Sequence, residues 1–502
     1  MKLGKPALLF AAFLTAVLLW RGAGLLTERE NGARIRGLEP APCWFEVPGN
    51  RVASCGYLTV PDRRDRGLST LTRLAVAVFS PPAGVTRDDP VVFLNGGPGG
   101  AFGFSEGNGW WWNWVEAVAL AHGREFIAVD PRGVGRSEPR VDCPGLRALE
   151  TRQLQREIPK EEEDAQWLEA VRACHDRLVE KGIDLSSFGT AQSAADIEAV
   201  RHALGVEQWN LYGISYGTRV ALAIARHDPT AVRSLVLDSL YPPGAQPVVD
   251  GPAALDSALR LAWITCPECE DTRAAIERVI ARLDARPARV HFKHPDTLEP
   301  IEVVLNGDRL LEALVVGLTG HTDIRGIAQQ IATVDRGVAD GAADLVRDYW
   351  LALEGQDFSY PVNFSVECRE QIPFNDFRVA AAQTRALPLV GRYKTREAER
   401  MRRICDLWGL TPLAPDATPE PLDVPTLILS GTFDPVTPPA WAEQTAKQVA
   451  NAHLFPFATG HSVTDADRCS LQIIAAFLDD PQRRPTADCY GPPGDGFRRP
   501  GS

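Results

Sequence analysis

The strongest constraint on the fold is an alternation that stops and then resumes. The short apolar runs RLAVAVF (Arg73–Phe79), PVVFLN (Pro90–Asn95) and EFIAVD (Glu125–Asp130) read as buried strands. AADIEAVRHALG (Ala194–Gly205) reads as an amphipathic helix stopped by Gly205. QWNLYG (Gln208–Gly213) and SLVLDSL (Ser234–Leu240) are further strands, with a helical pattern between them. Strands alternating with helices indicate βαβ units and a mostly parallel sheet. From about Pro242 to Pro421 long helical patterns take over, such as DTRAAIERVIARLDA (Asp271–Ala285) and REAERMRRICDLWG (Arg396–Gly409). The alternation returns with VPTLILSG (Val424–Gly431) and AHLFPF (Ala452–Phe457). The pattern predicts one α/β domain in two parts, 42–241 and 422–490, interrupted by a mainly helical insertion at 242–421. A linker (Glu28–Ala41) precedes it, and a Gly/Pro-rich flexible tail follows at 491–502.

Lys2 and Lys5 precede an uncharged apolar run, Pro6–Trp20, closed by Arg21. That is the order of a secretory signal within residues 1–27, either cleaved near the Gly22/Gly24 pair or kept as a membrane anchor. Both routes place the body outside the cytosol. The ten cysteines agree, since an even count there suggests disulfides. Near neighbours pair as Cys43 with Cys55, Cys266 with Cys269 and Cys469 with Cys489; Cys143 with Cys174 and Cys368 with Cys405 would complete the set. Metal binding at Cys266–Cys269 lacks a second zinc-like pair nearby, so a structural bridge is favoured, and no metal or organic cofactor is implied. A formal net charge of -12, with no basic groove, argues against a nucleic-acid partner.

The chemistry concentrates where strands end. Gly213-Ile214-Ser215-Tyr216-Gly217 fits G-x-S-x-G between a strand and a helix, where a sharp turn lifts the serine hydroxyl above the sheet edge. A serine needs a base, and the base an orienting carboxylate. Asp434 follows the strand TLILSG and His461 follows HLFPF, in the chain order and at the strand ends this chemistry requires. FLNGGPGG (Phe93–Gly100) ends a strand with backbone N–H groups; one from Gly97, with that of Tyr216, would hold an oxyanion. Taken singly, each has a plainer reading: a tight turn, an Asx-turn, a surface histidine.

Together NGGPGG, VDPRGVGRSE (Val129–Glu138), YGISYGT, GTFDPVTP and GHS resemble the α/β-hydrolase serine peptidases of the proline iminopeptidase and tripeptidyl aminopeptidase group, most nearly the secreted tripeptidyl branch. The resemblance runs from about Cys43 to Cys489 and is loose in the helical insertion. It implies an α/β-hydrolase fold, with the helical insertion as a lid, Ser215 as nucleophile, His461 as general base and acid, and Asp434 as its partner. Many iminopeptidases have His where Asn95 stands; Asn95 is familiar in the tripeptidyl branch. An exported exopeptidase acting on peptides with a free N-terminus is therefore expected. A carboxylesterase using the same triad and a silent binding module on the same fold are the alternatives. Recognition of the α-amine would suit acidic lid residues, with Glu367 and Glu370 as candidates and Asp376 behind them. The tryptophans Trp110, Trp111, Trp112 and Trp114 suit either a pocket wall or the core.

Overall fold

The computed structural model describes residues 37–65, 70–104, 109, 111–264, 271–320, 324–413 and 422–491. The N-terminal apolar run, Trp110, the Cys266–Cys269 pair and nearly all of the C-terminal tail lie outside the described residues.

The predicted alternation becomes a nine-stranded sheet. Its strands are β1 (Glu39–Ala41), β2 (Val52–Pro61), β3 (Leu71–Ser80), β4 (Val91–Leu94), β5 (Phe126–Val129), β6 (Trp209–Ile214), β7 (Val232–Asp238), β10 (Thr426–Gly431) and β11 (Ala452–Phe457). They lie in the order β1-β2-β3-β5-β4-β6-β7-β10-β11. From β5 to β11 every neighbouring pair is parallel, while β1, β2 and β3 add antiparallel strands at one edge. The segment read as a linker therefore ends in a strand, β1, because its backbone pairs with Gly56 and its neighbours on β2.

Successive residues on the central strands point to opposite faces. On β3, Leu74, Val76 and Val78 enter one apolar layer and Ala77 and Phe79 the other; on β7, Leu235 and Leu237 oppose Val236. One layer packs under Thr190–Leu204 and Tyr216–His227. The other packs under Trp111–Val118 and Cys469–Asp479.

The insertion leaves after β7 and returns at β10, and these strands are direct neighbours (Leu235 beside Thr426). A long excursion can start and finish there without disturbing the sheet. Its helices enclose a separate apolar core built on Leu255, Ile276, Val279, Leu310, Leu314 and Ile331. It also carries a hairpin that the helical reading missed, β8 (Ala288–Lys293) paired antiparallel with β9 (Pro300–Leu305). Cys43–Cys55, Cys143–Cys174, Cys368–Cys405 and Cys469–Cys489 are joined as disulfides. Four such bonds fit an extracytoplasmic setting. Among the described residues no helix is long and apolar enough to cross a membrane.

Candidate active site

β6 ends at Ile214, and the next residue turns the chain into the helix Tyr216–His227. Ser215 takes that turn at φ 54°, ψ −125°, a conformation that a residue with a side chain holds only under constraint. Three contacts supply the constraint. The Ser215 N–H donates to the Asp238 carbonyl on β7 (2.9 Å), and its own carbonyl accepts from the Thr218 N–H (3.0 Å) and hydroxyl (2.6 Å). The flanking glycines are required by space. A β-carbon on Gly217 would lie 1.9 Å from the Leu94 carbonyl oxygen, and one on Gly213 would lie 2.5 Å from that of Gly217. Gly217→Ala should therefore cost ~1–3 kcal/mol or more of stability, as overpacking against rigid backbone does. The measurement is the midpoint of chemical denaturation.

Past the end of β10, the Asp434 carboxylate is almost wholly buried at 1% exposure. One oxygen accepts from the N–H groups of Val436 (2.7 Å) and Thr437 (2.8 Å). The other accepts from the Thr437 hydroxyl (2.6 Å) and meets His461 Nδ1 at 2.8 Å. His461 lies past the end of β11, its chain held from below by β7. Ser239 Oγ accepts from the Ser462 N–H, and the buried Asp238 carboxylate accepts from those of Val463 and Thr464. Burial alone would lower the imidazole's affinity for a proton; the charge and hydrogen bond of Asp434 outweigh it, so His461 titrates above its ordinary value of 6.5. Serine, histidine and aspartate thus rise from the same carboxyl edge of parallel strands. An imidazole oriented by a carboxylate at Nδ1 presents Nε2 as a proton acceptor.

The glycine loop after β4 lies beside the serine, since a β-carbon on Gly96 would come within 2.9 Å of Ser215 Cβ. Asn95 Oδ1 accepts from the Gly96 N–H (2.8 Å), and Asn95 Nδ2 donates to the Ala101 carbonyl, which pins the loop across its width. Gly97 lines a cavity with Ser215 and holds φ 121°, where a side chain is strained. Tyr216 opens its helix, where N–H groups have no intrahelical partner.

The helical insertion is knitted to this loop. Gly99 O accepts from the Ser359 N–H (2.8 Å), Asp357 O accepts from that of Ala101 (2.7 Å), and Asn363 Nδ2 donates to the Pro98 carbonyl (3.2 Å). Asn363, Glu367 and Glu370 then follow along the helix Tyr360–Glu370 at spacings that share one face. Glu367 lines the same cavity of about 340 Å³ as Ser215. Desolvation pushes its carboxyl up to about 7, with Arg219 opposing and Glu370 adding to the rise.

Glu370, paired with Glu367 on sequence, turns elsewhere. Its oxygens accept from the Thr190 N–H (2.7 Å) and hydroxyl, and that hydroxyl meets Tyr216 OH at 2.8 Å. Asp376 caps the helix Phe377–Arg385 through the N–H groups of Arg378 (2.9 Å) and Val379 (3.2 Å). Trp111, Trp112 and Trp114 pack in an aromatic core with Phe45, Phe79, Phe93 and Tyr212 rather than around this cavity. Sequence reasoning passed over Thr437, whose hydroxyl three residues past Asp434 donates to its carboxylate. It also passed over Asn363, Lys394 and Glu397, which line the cavity without any motif to mark them.

A family model described as alpha/beta hydrolase fold matches residues 89–263, and one described as TAP-like protein matches residues 392–489. Serine protease Hip1 of Mycobacterium tuberculosis is 26% identical over 95% of this chain and 96% of its own. Tripeptidyl aminopeptidase of Streptomyces lividans is 26% identical over 54% of this chain and 52% of its own. Among solved structures, proline iminopeptidase of Mycobacterium smegmatis aligns with 85% of this chain and 99% of its own, at 18% identity and a TM-score of 0.41.

Proposed function

Because this chain belongs to the α/β-hydrolase serine peptidases of the proline iminopeptidase and tripeptidyl aminopeptidase group, we propose that it is an exported exopeptidase releasing short peptides from free N-termini. Ser215 Oγ attacks the scissile carbonyl as His461 takes its proton. The N–H groups of Gly97 and Tyr216 hold the oxyanion, helped by the positive end of the helix that Tyr216 opens. His461 returns the proton to the leaving amine, which leaves an acyl group on Ser215. Water activated by the same imidazole then frees the peptide. Asp434 keeps the imidazole in the tautomer that makes each transfer productive. Export rests on the charged and apolar N-terminal run together with the four disulfides.

The observation that carries the exopeptidase reading is Glu367, an acidic group on the wall of the cavity that holds the nucleophile. Its carboxylate supplies a counter-charge for a substrate ammonium. A chain anchored there by its amine would place an early peptide bond at the serine on the same cavity wall.

Tripeptidyl anilides with a free amine should be cleaved, and their acetylated counterparts should not. Equal turnover of the two, or turnover of nitrophenyl esters alone, would reject the exopeptidase reading. Glu367→Gln should raise KM for free-amine substrates by ~10- to 100-fold, the range for losing a hydrogen bond to a charged group, with little change in kcat. The pH dependence has a definite sign. Glu367 must be ionised to bind an ammonium, and burial pushes its carboxyl up to about 7, so KM should rise as pH falls below that. Measured from pH 5 to 8, this rise should vanish in the glutamine variant.

A further inference from the structure

The cavity beside Ser215 is mostly apolar, walled by Pro247, Val248, Pro252, Ile372, Ala398 and Met401. Into it the helix Pro388–Trp408 places two charged side chains, Lys394 and Glu397, joined at 2.7 Å across one turn. Neither belongs to the triad, the oxyanion loop or the Glu367 position. Lys394 is the more covered, at 15% exposure, and Glu397 opens further at 40%. A lysine ammonium has three N–H donors and no acceptor. Glu397 is the one carboxylate paired with Lys394 among the described residues, which leaves donors over. The facing helix Pro247–Ile264 presents Gly251 at this point; a β-carbon there would meet only Lys394 Nζ, at 3.9 Å. Gly251 therefore leaves room beside the ammonium that a larger side chain would fill.

We infer that Lys394 and Glu397 form a subsite for the main chain of the peptide being released, Lys394 donating to a peptide carbonyl and Glu397 accepting from a peptide N–H. The inference rests on the exopeptidase reading and adds a determinant of chain length to it. Charge selects between candidate ligands. An acidic substrate side chain would meet Lys394 but lie against Glu397; a basic one would meet Glu397 but lie against Lys394. A neutral group carrying a donor and an acceptor side by side suits both, and a peptide unit is such a group. Substrates with one residue before the scissile bond lack an internal peptide unit to offer. Those with two have one, and those with three have two. The pair would thus favour longer released peptides whatever their side chains.

The test is a series of free-amine aminoacyl, dipeptidyl and tripeptidyl anilides, assayed with the wild type, Lys394→Met and the double variant Lys394→Met/Glu397→Gln. The double variant leaves no unpaired carboxylate, and labelling of Ser215 by a fluorophosphonate confirms an intact site in each protein. A main-chain subsite predicts that KM for the tripeptidyl substrate rises ~10- to 100-fold in both variants, with kcat nearly kept and the aminoacyl substrate unaffected. Acidic, basic and neutral side chains in the released peptide should all show the same loss. An equal loss on all lengths, no loss on any, or a loss confined to acidic or basic side chains would overturn the subsite. If the wild type cleaves blocked and free peptides alike, the exopeptidase reading fails and the subsite falls with it. If only the length dependence fails to move, the exopeptidase reading stands and the subsite alone is wrong.

Discussion

Replacing Ser215 with alanine should reduce peptide and ester turnover by at least ~10³-fold, because the change removes the hydroxyl that the proposed mechanism makes the acyl carrier. The loss should fall on kcat and leave KM near its wild-type value, since Glu367 and the lid remain. The variant should also stay folded. Ser215 holds its turn through backbone bonds, the N–H to Asp238 and the carbonyl to Thr218, and none of these uses the hydroxyl. Alanine can keep the same backbone contacts, though at φ 54° it carries the same strain. A fluorophosphonate should label the wild type and leave the variant unlabelled. Turnover within tenfold of wild type, or labelling that persists, would show that the nucleophile lies elsewhere. A loss of turnover accompanied by an earlier denaturation midpoint would instead point to a damaged fold, so both measurements are needed.

The positions of these groups were legible in the sequence because parallel strands buried on both faces read as continuous apolar runs. PVVFLN and EFIAVD became β4 and β5, each buried throughout, while RLAVAVF became the antiparallel but equally covered β3 and AHLFPF the partly exposed edge strand β11. Residues placed just past such runs are placed at the sheet's carboxyl edge by topology alone. The strand β2, VASCGYLTVP, gave no such signal: it lies on the antiparallel side next to the short edge strand β1, most of its residues are partly exposed, and Gly56 breaks the apolar run. The hairpin β8–β9 was hidden for a related reason. ARVHFK alternates exposed and covered positions within a region of long helical patterns, so its period was overruled by its surroundings.

The lid shows where sequence reasoning stops. Glu367 and Glu370 lie three residues apart on one helix, and nothing in FSVECREQIPF says that one lines a cavity while the other locks onto Thr190. The direction is set by partners far away in the chain, on the helix that Thr190 begins and the one that carries Arg219. Lys394 and Glu397 sit in a stretch dense with charge, where every residue looks solvated until the insertion folds back over the sheet. The tryptophan run follows the same logic in reverse. A pocket wall and a core were equal on sequence, and Phe45 and Phe79 on neighbouring segments decided for the core.

Asp434→Asn should lower kcat by ~10⁴-fold while leaving the fold nearly intact, and the hydrogen bonds show why so small a change has so large an effect. An asparagine can keep its carbonyl oxygen where two N–H groups, from Val436 and Thr437, now donate. Its NH₂ group must then take the other place, facing the Thr437 hydroxyl and His461 Nδ1. A donor there forces Nδ1 to act as acceptor, which moves the imidazole proton to Nε2, the atom that has to receive the serine proton. The base is thereby blocked without being displaced. The pH profile separates this from a general weakening. In the wild type kcat should fall toward acid as His461 becomes protonated, with a midpoint above 6.5, because Asp434 raises the imidazole's proton affinity against the opposing effect of burial. Without that charge the burial effect gains weight, so the acid limb of the residual activity should move to lower pH. Asp434→Glu tests the same point from the other side: it restores the charge but not the geometry, and should recover the position of the limb better than the rate. A limb that stays fixed in Asp434→Asn, with activity within tenfold of wild type, would mean that Asp434 holds the loop and another group orients the base.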